Sequence, residues 1–489
     1  GGTMLTFDKF FIGGEWVAPA GNETLKVLSP TTEEVIGSVP VATPADMDRA
    51  VAAAKAAFNG PWRDWTPEQR AELLTKIADG IKSRQDELTG LITNEVGAPY
   101  FFSMFGQVLS AAMVFDSFAA NARAFPFEEQ RAGAMGGPIL VRREPVGVCA
   151  GIIPWNVPLF IIALKVAPTI ASGSTIVLKP APETPLDANV FAEILVEAGV
   201  PAGVVNIVAA DREVGEHLVR HPDIDKVSFT GSTAAGRKIG AICGEQLKRC
   251  TLELGGKSAA IICEDADLEA AIPAIIQGGL MNNGQACVAL TRVLAPASRY
   301  DEIKGVLATA VASQIAGDPT NPENMTGPLI AERQRERVEG YIAKGKAEGA
   351  TVVTGGDRPD MASGHFVSPT LFADVTNDMT IAREEIFGPV LSLIKYDTLE
   401  DAIAMANDND YGLAGACYTA DLAKGLDVAR RVRTGTFGVN TAQGMDFNGP
   451  FGGFKSSGIG RELGPEGIAS FCEYKTISLP GGSEVPMGA

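Results

Sequence analysis

The feature that most constrains this chain is the alternation of short β-rich runs with helical stretches that begins at Val146. The runs VGVCAGII, TIVLK, VVNIV, KVSFT and CTLEL are apolar, rich in β-branched residues and short enough for buried strands. Helical patterns separate them at 159–171, 185–198, 213–220 and 234–243. Strands joined by crossover helices pair in parallel, so this region predicts an α/β fold built on a mostly parallel, doubly wound sheet. Such sheets bind ligands beyond the carboxyl ends of their strands, which directs attention to the loop after each run. A second alternating region opens with SAAIICED and carries helical patterns at 267–280, 299–315 and 331–348, followed by strands and turns to about 440. Ahead of both, 10–29 reads as a small hairpin turning at Gly-Gly and Gly-Asn, and helices are expected at 45–58, 68–96 and 101–125.

A chain of 489 residues exceeds one ordinary core and implies two or three domains. The tail from 470 reads as an exposed strand that, with 124–143, forms an arm suited to pairing with another subunit. The 59 acidic against 41 basic residues give a net charge of −18, a field that repels phosphate backbones and anionic membranes. Neither nucleic acid nor a membrane is expected as a partner, and an anionic cofactor has to be held locally by helix N-termini and one or two lysines. The seven cysteines are scattered without a CxxC, which argues against a disulfide framework. His217 and His221 stand at i, i+4 but lack the intervening glutamate of a metalloprotease helix, so they read as a helix end and no metal is expected. The Gly-Gly-Thr ahead of Met4 reads as an artificial leader. The most apolar stretch, 157–171, contains Lys165, Pro158 and Pro168 and is short for a bilayer, so a cytoplasmic, reducing location is expected.

Three local signals carry chemistry. FTGSTAAG, residues 229–236, follows a predicted strand and opens a predicted helix, as a phosphate cradle or a plain strand–helix turn would. Its glycines are spaced GxxxxG, unlike the usual dinucleotide fingerprint, and no Lys-Ser/Thr follows as in a P-loop. Cys287 ends the segment Asn282-Asn283-Gly284-Gln285-Ala286-Cys287, where small neighbours leave a thiol more accessible than Cys149 or Cys263 within their strand-like runs. By itself such a cysteine is structural or nucleophilic. Glu253, between Leu252 and Leu254, is costly to bury unless it is paired or functional. It reads either as a salt-bridged strand end or as the carboxylate that thioester hydrolysis requires.

Taken together with Pro154-Trp155-Asn156, VLKP at 177–180, LELGGKS at 252–258, EEIFGP at 384–389 and PFGGFK at 450–455, these segments follow one order along essentially the whole chain. In that order the chain resembles the aldehyde dehydrogenase superfamily. The resemblance implies two doubly wound Rossmann-like domains plus a small β oligomerisation arm. The cofactor domain would be 1–123 with 144–252 and the catalytic domain 253–456. The arm would be 124–143 with 470–489, and 457–469 would return to the interface between the domains.

The implied activity is NAD(P)-dependent, hydrolytic oxidation of a small-molecule aldehyde. Cys287 would add to the carbonyl, and the Asn156 amide with the Cys287 backbone N–H would hold the oxyanion, at about 2.7–4 kcal/mol per donor. Glu253 would activate water against the thioester, with Lys165 and Glu462 in its proton traffic. For the cofactor, the resemblance implies Lys179 on the adenosine ribose and Gly231 and Ser232 at the pyrophosphate. Glu385 would bind the nicotinamide ribose with Phe387 beside it, and Leu254 and Gly255 would complete the cleft. Trp155 would line the cleft chiefly by shaping the loop that carries Asn156.

Many NAD-preferring members carry a glutamate three residues after the ribose lysine, where this chain has Pro182. NAD is favoured, with NADP as the open alternative, and Arg212 stands where it could approach the adenosine. Val157, Phe160, Ile161, Leu164, Met281, Met445 and Phe451 form the expected pocket, apolar throughout, and point to a medium-chain, aromatic or terpenoid aldehyde. Glu473 is expected to pair with Arg249 and Arg461, tying the tail to the scaffold of a homodimer or homotetramer. A CoA-acylating relative, or a silent structural protein of the same fold, are the competing readings. Glu253 counts against the first and the intact set of site residues against the second.

Overall fold

The structure, a computed structural model, describes residues 4–442 and 444–486. Its first sheet has five parallel strands, Val148–Ile152, Thr175–Lys179, Val205–Ile207, Lys226–Thr230 and Arg249–Glu253. They lie in the spatial order third, second, first, fourth, fifth. Strand order reverses between the first and fourth, and a crevice opens there beyond their carboxyl ends. The loops at that crevice carry Asn156 and Ser232. Short antiparallel strands extend the sheet: Phe10–Ile12 and Glu15–Val17 at one edge, Gly458–Ile459 at the other.

The helix Pro158–Ser172 is buried at every position and packs between the sheet and the helices Pro67–Ser83 and Ser110–Ala124. Complete burial explains its uniformly apolar composition and makes Lys165 an exception that requires partners. The run Phe102–Ala124 is by length and composition able to cross a membrane, but half of its most apolar stretch is buried and it packs on neighbouring helices.

The second sheet runs Thr351–Thr354, Thr370–Val375, Val390–Tyr396, Arg292–Pro296, Ala259–Ile262, Gly415–Tyr418 and Gly438–Val439, parallel except for its first strand. Five residues, 254–258, cross from the end of Arg249–Glu253 in one sheet to the start of Ala259–Ile262 in the other. A third sheet joins Glu128–Ala132, Pro138–Pro145 and Cys472–Ser478 in antiparallel register, with Cys472 opposite Pro145 and Ser478 opposite Ile139.

Three local expectations need correction. The hairpin at 10–29 is confined to Phe10–Ile12 and Glu15–Val17, which turn through Gly13 and Gly14 at positive φ. Thr24–Leu28 pairs instead with Val35–Pro40, because Val27 and Val39 find their apolar bed on Leu186 and Ala209. The helix at 68–96 is two helices, Pro67–Ser83 and Gln85–Val96, broken at Arg84, whose guanidinium is drawn to Glu87 and Glu193. Within 101–125, residues Phe102–Leu109 are wound as a π-helix, with the Phe102 ring over Gly106.

The helix Thr233–Gln246 meets the strand Arg249–Glu253 at very short range. A Cβ at Gly236 would lie 2.2 Å from Leu254 Cδ2, and one at Gly240 would lie 3.1 Å from Leu252 Cδ1. Gly236→Val is therefore expected to overpack this contact and lower the free energy of unfolding by about 1–3 kcal/mol. The urea midpoint would fall at an unchanged slope.

Candidate active site

Asn282, Asn283 and Gly284 all adopt positive φ, at 51°, 61° and 77°. Asparagine and glycine tolerate that region better than other residues, which is why this sequence can reverse so tightly after the helix Leu268–Leu280. The reversal delivers Cys287, half-buried, to the crossing between the sheets. A Cβ at Gly256 would stand 2.5 Å from the Cys287 carbonyl oxygen, so only glycine fits there. Asn156 Nδ2 donates to the Gln285 carbonyl at 3.0 Å, which leaves its second N–H uncommitted to that bond. The Asn156 carbonyl accepts from Asn282 Nδ2 at 2.9 Å and from Gln107 Nε2 at 3.5 Å. Asn282 and Gln107 thus hold the Asn156 loop. Gln107 lies in a helix that reads from sequence only as core, whereas the Asn-Asn-Gly run did signal an unusual turn.

Glu253 is 2% exposed and neither carboxyl oxygen has a hydrogen-bond partner. Burial, then the nearby Glu462, pushes its carboxyl well above the usual range, against the pull of Lys165 and Arg461. Lys165 Nζ donates to Ser228 Oγ and Thr230 Oγ1, each at 2.9 Å, and lies 3.5 Å from Glu462 Oε2. Burial lowers the Lys165 ammonium and raises the Glu462 carboxyl. Glu462 is further fixed by reciprocal backbone bonds with Phe451 at 2.6 and 2.7 Å. The Cys287 thiol is pushed up to about 12 by burial and by the Glu385 and Glu253 carboxyls, while the backbone N–H groups of Cys287 and Val288 oppose the shift.

The switch-point crevice forms the second half of the site. Ser232 caps the helix Thr233–Gln246 by accepting from Ala235 N–H at 3.2 Å, and it stays exposed. A Cβ at Gly231 would press on the Phe229 ring. Lys179 is 7% exposed and runs over Gly215, where a Cβ would come within 2.9 Å of its Cδ. Burial lowers its ammonium, opposed by Glu183 and Asp211. Pro182 is half-buried beside Glu183, whose carboxylate pairs with Arg333 Nη2 at 2.6 Å.

Across the crevice the Glu385 carboxylate accepts from Gly256 N–H at 2.9 Å and is pushed up to about 7 by burial. A Cβ at Gly255 would lie 2.8 Å from Glu385 Oε1 and displace that carboxylate. Leu254 N–H bonds the Ser457 carbonyl at 2.9 Å. The Trp155 and Phe387 rings meet edge to face at 5.5 Å.

Val157, Phe160, Ile161, Leu164, Met445 and Phe451 share one apolar cluster with Cys287, and Phe447, not singled out from sequence, joins it on Phe160 at 5.9 Å. Leu164 is wholly buried within it. Met281 stands apart on a second apolar cavity of about 740 Å³, with Phe101, Phe102, Phe105, Leu280 and Met325. Glu473 pairs with Arg249 through bonds of 2.7 and 3.1 Å, but Arg461 does not join them. Its guanidinium is spent on the Gly453 and Gly460 carbonyls and sits over Phe454.

Residues 16–477 match the model of the aldehyde dehydrogenase family. The geranial dehydrogenase of Castellaniella defragrans is 46% identical over 474 residues, covering 96% of this chain and 98% of that protein. A 3-succinoylsemialdehyde-pyridine dehydrogenase from a Pseudomonas species is 42% identical, over 97% and 99% of the two chains. The crystal structure of a Mycobacterium tuberculosis aldehyde dehydrogenase complexed with NAD+ superimposes with a TM-score of 0.97 at 50% identity, over 99% of this chain and 100% of that one. A half-buried thiol, a buried carboxyl and a glycine-lined crevice thus stand in a chain that matches one family from end to end: it belongs to the aldehyde dehydrogenase family.

Proposed function

We propose that this chain oxidises an apolar aldehyde, of medium-chain, aromatic or terpenoid type, to its carboxylic acid with NAD as acceptor. The observation that carries the reading is the buried, unpartnered carboxyl of Glu253, close enough for its charge to raise the Cys287 thiol, with the Asn156 amide anchored on the Gln285 carbonyl two residues before that cysteine. Cys287 Sγ adds to the aldehyde carbon, and the free N–H of Asn156 with the Cys287 backbone N–H stabilises the oxyanion. NAD, when bound, supplies the two-electron acceptor that turns this adduct into a thioester. Glu253 then takes a proton from water as the water oxygen attacks the thioester carbon; the C–S bond breaks, and the acid and the Cys287 thiolate are released. Lys165 and Glu462, both buried and adjacent, pass that proton onward.

The crevice suits a dinucleotide. Gly215 makes room for Lys179, which would stand beside the adenosine end; Gly231, its own N–H held by the Glu253 carbonyl at 3.0 Å, shapes the turn, and Ser232 with the exposed helix start would offer N–H groups to a pyrophosphate. Glu385, held on Gly256 N–H, would bind the nicotinamide ribose, with Phe387, Trp155, Leu254 and Gly255 completing the cleft. Pro182 removes a carboxylate, but Glu183 follows immediately and its charge acts on Lys179. A 2′-phosphate would meet that charge, which supports NAD over NADP. In this reading 1–123 with 144–252 bind cofactor and 253–456 carry the chemistry, with 457–469 between them. The sheet formed from 124–143 and the tail beyond 470 pairs with a second subunit in a homodimer or homotetramer.

The apolar character of Val157, Met445 and Phe447, which border the same core as Cys287, supports the substrate class, as does the similarity to a geranial dehydrogenase. Decanal, citral or benzaldehyde is expected to exceed succinic semialdehyde and betaine aldehyde by at least ~10-fold in kcat/KM. The reverse order, or a requirement for CoA, would sink the substrate and acceptor assignments. Cys287→Ala is expected to abolish NADH formation. Glu253→Gln should retain a first-turnover burst while steady turnover falls by ~10²–10⁴. Without cofactor, alkylation of Cys287 by iodoacetamide should keep rising beyond pH 9 with no plateau, because the thiol is pushed up to about 12. Glu385→Gln removes one of the carboxyls responsible, so alkylation at fixed pH should become faster. An unchanged rate would show that the carboxyl does not act on the thiol.

A further inference from the structure

Cys243 and Cys250 take no part in the aldehyde chemistry, yet the fold sets them face to face. The helix Thr233–Gln246 and the strand Arg249–Glu253 run in opposite directions, with Leu254 seated at Gly236 and Leu252 at Gly240. Two strand residues advance about 6.6 Å. Four helix residues advance about 6.0 Å, so the next step of the same contact brings position 250 against 243–244. The chain reverses between them through Leu247 at φ 56°, and Lys248 N–H bonds the Cys243 carbonyl at 2.9 Å. Cys243 belongs to the apolar cluster against which Cys250 packs, and the two thiols act on each other's ionisation.

Their surroundings differ. Cys243 is 1% exposed, whereas Cys250 is half-buried, and the edge strand Gly458–Ile459 covers only Leu252 and Glu253. The hydrogen bond from Cys243 and the charge of Lys226 bring the Cys250 thiol down to about 7, against burial. Burial pushes the thiols of Cys149, Cys417 and Cys472 up to about 12 and that of Cys263 up to about 11. Low pKa, partial access and an adjacent second thiol are the attributes of a redox-sensitive cysteine.

We propose that Cys250 and Cys243 form a reversible thiol–disulfide pair that hydroperoxides oxidise, stapling the end of the helix to the strand that leads to Glu253. The Cys250 thiolate attacks one peroxide oxygen; the S–O bond forms, the O–O bond breaks, and the released hydroxide is protonated to water. Cys243 sulfur then attacks the Cys250 sulfenic acid; the S–S bond forms, the S–O bond breaks, and hydroxide leaves with the Cys243 proton as a second water. The pair loses two electrons and the peroxide gains them.

The test uses the full chain carrying Cys287→Ser, so that the reactive thiol at that position cannot compete. The protein is treated with hydrogen peroxide, alkylated in denaturant and mapped as unreduced peptides. The expected result is a linked Cys243–Cys250 peptide, a loss of two titratable thiols and their return with dithiothreitol. Adding Cys243→Ser should leave Cys250 as a sulfenic acid trapped by dimedone, and adding Cys250→Ser should suppress both the link and the trapping. These serine variants are close in size, and unchanged far-UV circular dichroism verifies that they fold. The proposal is overturned if no 243–250 link forms in the folded protein, if it forms only in denaturant, or if Cys250→Ser loses thiols as the parent does.

Discussion

Everything at the centre of this protein depends on a close crossing of backbone between the two large sheets. Residues 254–258 pass where the Cys287 carbonyl and the Glu385 carboxylate already occupy the space that side chains at 256 and 255 would need. The crossing is clasped by one residue, Ser457, whose carbonyl accepts from Leu254 N–H and whose Oγ donates to the Gly255 carbonyl at 2.7 Å. Because the crossing begins at Glu253 and touches Cys287, the same short segment sets the separation of carboxyl and thiol. It also presents Gly256 N–H to Glu385, so the chemistry and the cofactor crevice share one piece of main chain.

Around that crossing the protein buries charge in a way that only a cluster can sustain. Lys165, Glu253 and Glu462 are each no more than 2% exposed, and Lys226 lies beside them on Thr251 and the Ser470 carbonyl. An isolated ion at such depth would neutralise itself. Burial drives both lysines down and both carboxyls up, so the difference between their protonated and ionised forms narrows. Hydroxyls of Ser228 and Thr230 hold Lys165 in place without adding charge.

Much of this was legible in the sequence because the constraint was local. A parallel strand buried on both faces has to be apolar along its length, so TIVLK and KVSFT declare themselves, and Cys287 stands out once Asn156, Glu253 and Lys179 accompany it. What the sequence hid was set by distant partners. Thr24–Leu28 follows its neighbours by a few residues, but its apolar bed is Leu186 and Ala209. Arg461 lies near Glu473 in sequence, yet the carbonyls of Gly453 and Gly460 capture it first. Met281 is six residues from Cys287 but faces another cavity, because three left-handed residues turn the chain between them.

The reciprocal backbone bonds between Phe451 and Glu462 have a consequence for how such an enzyme changes over evolutionary time. One wall of the pocket is fastened to a member of the buried charge cluster, and the helix bearing Val157, Phe160 and Ile161 carries Lys165 as well. Reshaping either wall therefore perturbs the buried charges of Lys165 and Glu462. The inner walls are thus free to change only in concert with the charges behind them.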